Sequence, residues 1–195
     1  MDFVEGEILA FDKPYRWTSF DVVGKARWLL CHKLGVKKLK VGHSGTLDPL
    51  ATGVVVVCTG KKTKLIDQLQ AHQKEYVATL QLGATTPSFD LEKEIDATYP
   101  TEHITRALIE EVIPTFVGEQ WQVPPMFSAV KVDGKRAYKL ARKGEEVELK
   151  PKLLVIDEIE ILDFVKASMQ LTIRVVCSKG TYIRALARDI GQRLN

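Results

Sequence analysis

Long hydrophobic runs, paired cysteines and a strong net charge are all missing from this 195-residue chain. No apolar stretch approaches the roughly 18–20 residues that a membrane-spanning helix needs, so no candidate span exists. The opening residues Met1-Asp2-Phe3-Val4-Glu5-Gly6-Glu7 are acidic and lack a basic stretch with an apolar one behind it. That argues against a secretory signal, and a cytoplasmic location is expected. Cys31, Cys58 and Cys177 are odd in number, far apart and outside any C-x-x-C pair. Neither a disulfide framework nor a zinc site follows, and reduced, buried thiols are expected. His32, His43, His72 and His103 do not form a metal-spaced set either. With no D-x-D pair, Walker A loop or G-x-S-x-G elbow, nothing supports a hydrolase or phosphotransferase.

What remains is an ordinary globular balance, 45% hydrophobic and 27% charged residues, in a length that suits one medium domain. The net charge of +3 is unevenly spread. Residues 1–75 hold 12 Lys/Arg against 8 Asp/Glu, residues 76–130 hold 2 against 8, and residues 131–152 hold 8 against 4. Two basic stretches flank an acidic middle. A polyanion such as RNA suits that pattern, and so does a solvated mixed-charge surface.

Along the chain, Glu7 to Asp12 reads as a short strand ended by Lys13-Pro14. Thr18 or Ser19 can cap a helix whose apolar face is Val22, Val23, Ala26 and Leu29. Lys33 to Lys40, with lysines at 33, 37, 38 and 40 and no acidic residue, suits an exposed loop. Val54 to Cys58 is an unbroken apolar run, as in a strand buried on both faces. Thr63 opens a short helix, and Glu75 to Leu82 is a strand. Gly83 to Asp96 is polar loop. Ile104 to Phe116 repeats with helical spacing up to Pro114. Ser128 to Val132 with Asp133-Gly134 predicts a strand leaving a hairpin, followed by a basic helix through Ala137 and Leu140. Leu153 to Phe164 and Met169 to Cys177 read as strands, and Ser178 to Thr181 turns into a helix carrying Ile183, Leu186 and Ile190. Strands and helices mix without regular β-α-β alternation. An α+β fold follows, with a mixed, largely antiparallel sheet flanked by helices.

The segment Gly42-His43-Ser44-Gly45-Thr46-Leu47-Asp48-Pro49-Leu50-Ala51-Thr52-Gly53 holds three glycines, which admit unusual backbone geometry and close approach. Pro49 fixes its own dihedral and biases Asp48 toward extended geometry. Asp48 is therefore a carboxylate on a stiffened loop, where catalytic groups are often carried. Asp-Pro is equally the start of a common tight turn. Taken alone, these residues leave both readings open.

The same segment resembles the signature loop of the TruB family of pseudouridine synthases, Gly-His-x-Gly-x-Leu-Asp-Pro-x-Ala-x-Gly, at every defined position. Further similarities follow in order. Ile8 to Pro14 with Trp17 to Val23 resembles the N-terminal motif, and Lys74-Glu75-Tyr76 the tyrosine strand. Val123 to Lys131 with Gly134 to Tyr138 resembles a mobile RNA-gripping insertion, and Cys177 to Arg184 the third catalytic segment. Nearly the whole chain is covered.

The resemblance implies a pseudouridine synthase catalytic domain over residues 1–195, with the insertion at about 123–152. Family members continue into another strand-forming stretch with a basic Leu-Arg-Arg segment, and many add a small RNA-binding PUA domain. The end of the domain and any PUA domain are expected to be absent. The implied reaction breaks the N1–C1′ bond of a uridine, turns the base and rejoins it through C5. Nothing is oxidised and no group is exchanged, so no metal and no cofactor are expected. The resemblance assigns Asp48 as the catalytic carboxylate, Arg184 as the cation that keeps it ionised, and Tyr76 as the ring that stacks on the flipped base. His43, Tyr182 and Lys13 are implied on the substrate side, His43 entering the RNA loop and Lys13 within a supporting turn. Lys131, Lys135, Arg136, Lys139, Arg142 and Lys143 fit contacts to the RNA backbone. The implied partner is the T stem-loop of tRNA, with uridine 55 as the target, and a monomer is expected. A non-catalytic tRNA-binding or folding protein of the same fold, or a synthase acting on another RNA, are the alternatives.

Overall fold

The computed structural model describes residues 1–132, 134–141, 143–144 and 147–195, with all side chains of these except those of Val132 and Lys139. The chain forms two compact units, Met1–His72 and Gln73–Asn195.

In the first unit, β1 (Ile8–Lys13) leads through a turn to α1 (Ser19–Leu34), β2 (Val41–His43) and β3 (Gly53–Thr59). β3 is the central strand, pairing antiparallel with β1 on one side and β2 on the other. A 3-10 turn, Gly60–Leu65, then leads into α2 (Ile66–Ala71). α1 begins where the sequence places a cap: the Thr18 hydroxyl accepts from the Asp21 N–H, and the Asp21 carboxylate accepts from the Thr18 N–H in return. The helix runs to Leu34, further than its apolar spacing predicts, and ends because Gly35 takes the left-handed conformation at φ 65°. Val22 and Val23 pack on Val41, Val55 and Val57, and Leu39 from the lysine-rich turn joins them, so that turn is exposed at its lysines but buries Leu39. β3 is buried on both faces only at Val57, Cys58 and Thr59; Val54 is 67% exposed. A strand with antiparallel neighbours has no crossover helices to cover both faces, which is why the valine run does not behave as a parallel core strand.

In the second unit, β4 (Lys74–Gln81) precedes the two-residue strands β5 (Ala84–Thr85) and β6 (Ala97–Thr98), which pair with each other, β5 inside the segment read as loop and β6 just after it. α3 (Arg106–Val112) is capped by Thr105 and passes into a 3-10 turn, Ile113–Phe116, that accommodates Pro114. β7 (Gly118–Gln122) follows, then the hairpin strands β8 (Lys131–Val132) and β9 (Lys135–Arg136), shorter than the predicted strand, and α4 (Ala137–Ala141). β10 (Lys152–Val165), β11 (Gln170–Cys177) and α5 (Ile183–Leu194) complete it. The main sheet has the order β4-β11-β10-β7. Its inward face, Leu80, Leu154, Ile156, Leu171, Ile173 and Val175, packs with Ile109, Ile113, Leu186 and Ile190 of the helical segments.

The α+β expectation holds. Among the described residues every strand pair is antiparallel, and the strands divide between two main sheets rather than forming one mixed sheet. Cys58 and Cys177 are buried, and burial pushes both thiols above the usual cysteine value. Cys31 departs from expectation by being only half-buried. Among the described residues, no helix is long and apolar enough to cross a membrane.

Candidate active site

β1 delivers Lys13 to the floor of the first unit. Its side chain is fully buried, yet the ammonium is hydrogen-bonded: it donates to the carbonyl oxygens of Trp17 at 2.6 Å, Pro14 at 3.1 Å and Pro49 at 3.3 Å. Three N–H donors meet three acceptors. Burial pushes the ammonium below the usual lysine value, and the carboxylates of Asp48 and Asp21 act against that shift. Lys13 therefore supports the loop from beneath rather than presenting a donor to solvent, a correction to any direct grip on substrate. Pro49 O also accepts from the Arg16 N–H at 2.8 Å, made possible by a left-handed Arg16 at φ 67°.

Ser19, the buried first residue of α1, ties down the other side of the loop. Its hydroxyl accepts from the Leu47 N–H at 2.9 Å and lies 3.4 Å from the Leu47 carbonyl. Between these anchors the Ala51 N–H donates to Asp48 O at 3.0 Å, closing a turn with Pro49 in its second position. Turn and stiffened carboxylate prove to be one object. Asp48 is half-buried within it. Of the three glycines, only Gly53 has a positive φ, at 117°. Gly42 is constrained less firmly, since a Cβ there would lie 2.8 Å from Ile66 Cδ1, the tip of a side chain that can shift aside. Gly45 shows neither requirement. The His43 ring sits with Nδ1 2.6 Å from Gly45 O, which fixes the proton on Nδ1 and leaves Nε2 the acceptor in the neutral ring.

In the second unit, Tyr76 lies on β4 opposite Val175 of β11, half-buried against the core. Arg184 projects from the first turn of α5. Its guanidinium donates to Ser88 O at 3.0 Å and Phe127 O at 3.1 Å, and stands 3.6 Å from the Asp90 carboxylate. Asp90 is itself held, accepting from the Ser88 hydroxyl at 2.6 Å and the Glu92 N–H at 3.0 Å. Tyr182 caps α5 without a side-chain bond to the helix. The buried Gln122 side chain grips the Tyr182 backbone instead, accepting its N–H at 2.9 Å and donating to its carbonyl at 3.2 Å.

Sequence reasoning offered Ser19 only as a helix cap and passed over Ser88, Asp90 and Gln122. A Gln beside Val123-Pro124-Pro125 was the one available hint, because a buried polar residue near a rigid turn needs a partner.

Lys131, Lys135 and Arg136 are exposed on the β8–β9 hairpin, with Lys131 directly opposite Arg136. Arg142 lies outside the described residues, as do Asp133 and the side chain of Lys139. Lys143 is exposed just beyond α4. Among the described residues, no group of three or more His, Cys, Asp or Glu could hold a metal ion.

A family model for the N-terminal domain of TruB family pseudouridylate synthases matches residues 32–183, a span that includes His43, Asp48, Tyr76 and Tyr182. This chain belongs to the TruB family. Membership makes it an isomerase of the pseudouridine synthase class. Among its relatives, the tRNA pseudouridine synthase B of Phocaeicola vulgatus is 71% identical over 195 residues, covering all of this chain and 82% of that protein. The protein of the same name in Flavobacterium johnsoniae is 53% identical over 195 residues, covering all of this chain and 84% of that one. A chain solved in a Cbf5-Nop10-Gar1 complex superposes with a TM-score of 0.69 at 28% identity, over 99% of this chain. The TruB chain spans 45% of that solved protein's length.

Proposed function

We propose that this chain isomerises uridine to pseudouridine in tRNA, at position 55 of the T-loop, with Asp48 as the catalytic carboxylate. The carrying observation is the way Asp48 is held: in a turn pinned from one side by Lys13 and from the other by Ser19. Relatives named tRNA pseudouridine synthase B, 71% identical over the whole chain, support tRNA as the substrate. In this reading the N1–C1′ bond breaks as Asp48 attacks or stabilises the electron-poor centre. The base turns, C5 bonds to C1′, the C5 proton leaves, and N1 ends protonated. The fixed loop supplies what such a reaction needs most, a carboxylate whose position is settled before substrate arrives.

Arg184 is assigned as the cation that keeps Asp48 ionised in a partly dry site. Tyr76 stacks on the flipped base, and Tyr182 lines the pocket beside it. His43 enters the RNA loop, its ring already oriented by Gly45 O. The facing pair Lys131 and Arg136 favours a phosphate partner, since like charges across a strand pair repel until an anion joins them.

The test is release of tritium from 5-tritiated uridine in a T stem-loop RNA. Wild type should release it without added metal or cofactor, and Asp48→Asn should bind the RNA and release none. Full turnover by Asp48→Asn would sink the assignment. Binding without turnover in the wild type would favour an RNA-folding role, and turnover on a different RNA alone would relocate the substrate.

A further inference from the structure

The outer face of α1 belongs to none of the machinery described so far. It carries Trp28, 59% exposed, with the Lys25 ammonium 5.0 Å from its ring centroid and the His32 ring at 5.8 Å, tilted by 44°. These residues lie three, four and seven positions apart, so they form one stripe along the helix. Phe20, at the start of the same helix, is 66% exposed. From Val22 to Leu47 the sequence holds six Lys/Arg and no Asp or Glu. Arg27 is engaged internally, its guanidinium donating to Val41 O at 3.0 Å. The other five, Lys25, Lys33, Lys37, Lys38 and Lys40, are all exposed. The segment ends at the His43–Asp48 loop, within the same unit.

From this we infer a second RNA contact on α1, in which Trp28 stacks on an unpaired base and the lysines of the following turn meet the adjoining phosphates. An uninterrupted cationic stretch selects a polyanion. An exposed indole set among the cations selects one that offers unpaired bases, because base–aromatic stacking and phosphate neutralisation are the two terms by which single-stranded nucleic acid is held. The continuity of the stretch with the Asp48 loop places this contact on the substrate RNA, outside the nucleotide that reacts. The inference rests on the RNA-modifying reading above.

Two variants and one fluorescence measurement test it. Trp17→Phe with Trp121→Phe leaves Trp28 as the only indole, and titration with a tRNA transcript should quench it. Heparin and an RNA duplex of equal length should quench it little. Trp28→Ala should raise the Kd and KM for the transcript about tenfold with kcat unchanged, and Trp28→Phe should recover most of the loss. Replacing Lys33, Lys37 and Lys38 by Ala should flatten the slope of log Kd against log salt by about 2. Unquenched fluorescence together with unchanged Kd would overturn the inference. Equal quenching by heparin would overturn the stacking, and a Trp28→Ala effect confined to self-association would show that a protein covers the face. Titrations repeated in the Asp48→Asn background separate the two proposals, since that protein should bind as wild type does whether or not Asp48 is catalytic.

Discussion

Lys13 and Lys166 make the same three bonds and stand in opposite surroundings. Each aims its ammonium at three main-chain carbonyls: Lys13 at Pro14, Trp17 and Pro49, Lys166 at Thr101, Glu102 and Ile104. Lys13 is fully buried beneath the Asp48 loop, whereas Lys166 is exposed at the end of β10. Water can replace the second ammonium and cannot readily replace the first. The bond pattern alone therefore says little about energy, and access to water decides it.

Lys13→Met tests that contrast where it is largest. It removes the ammonium from three carbonyls in a dry site, of which Pro14 O and Pro49 O keep a main-chain donor, so a loss of about 3 kcal/mol is expected in denaturant unfolding. Turnover should fall as well, because Pro49 O keeps only the Arg16 N–H and the turn carrying Asp48 loses its support from beneath. The matching change Lys166→Met should cost under about 1 kcal/mol, with turnover unaltered. Equal losses from the two would break the comparison.

Gln122→Ala should fall between them. Gln122 is buried like Lys13 but neutral, and its loss removes the acceptor of the Tyr182 N–H and one of the donors to the Tyr182 carbonyl, which keeps the Leu186 N–H at 3.0 Å. About 2 kcal/mol is expected, read from the unfolding midpoint at constant m. Arg184 sits in the first turn of α5, two residues on, so kcat should fall more steeply than stability implies. A loss of stability with kcat untouched would show that the Gln122 grip does not position Arg184.

Much of this architecture was legible because it repeats. The α1 cap was readable from Thr18 and Ser19, β4 from its alternation, and the Asp48 loop from an unbroken motif. β7 escaped notice because Glu119, Gln120 and Gln122 are polar, and as an edge strand it needs only one neighbour, β10, to form. The valine run of β3 misled for the reverse reason: its composition suits a strand covered on both faces, but its partners are antiparallel. At the site, the motif pointed to Asp48 and could not point to what holds it. Ser19 reaches Leu47 across 28 residues, Gln122 reaches Tyr182 across 60, and Arg184 reaches Ser88 across 96. Each is a single side chain meeting a main-chain group. Such bonds follow no periodicity, so no pattern in the sequence announces them.

A smaller effect than that of Gln122 concerns the cap beside Lys13. Asp21 is held below its ordinary carboxylate value by the Thr18 hydroxyl and the Thr18 N–H, with Lys13 adding a weaker pull and burial opposing them. A carboxylate whose pKa is lower folded than unfolded contributes stability above its unfolded value, and loses that contribution as pH falls through the folded one. The cap should therefore act at constant strength from neutral pH down to about 4 and fade below it. Thr18→Ala removes the hydroxyl from both bonds and should cost about 1 kcal/mol near neutrality. Asp21→Asn keeps the shape and gives up the charge, so its cost at neutral pH should be smaller and should vanish in acid. Unfolding curves at neutral and strongly acidic pH supply the check, and a difference between wild type and Asp21→Asn that persisted in acid would place the cap's value in packing instead of charge. Because Asp21 is also one of the two carboxylates acting on Lys13, the same variant should leave the buried ammonium slightly easier to deprotonate. That couples the exposed end of α1 to the clamp beneath the Asp48 loop.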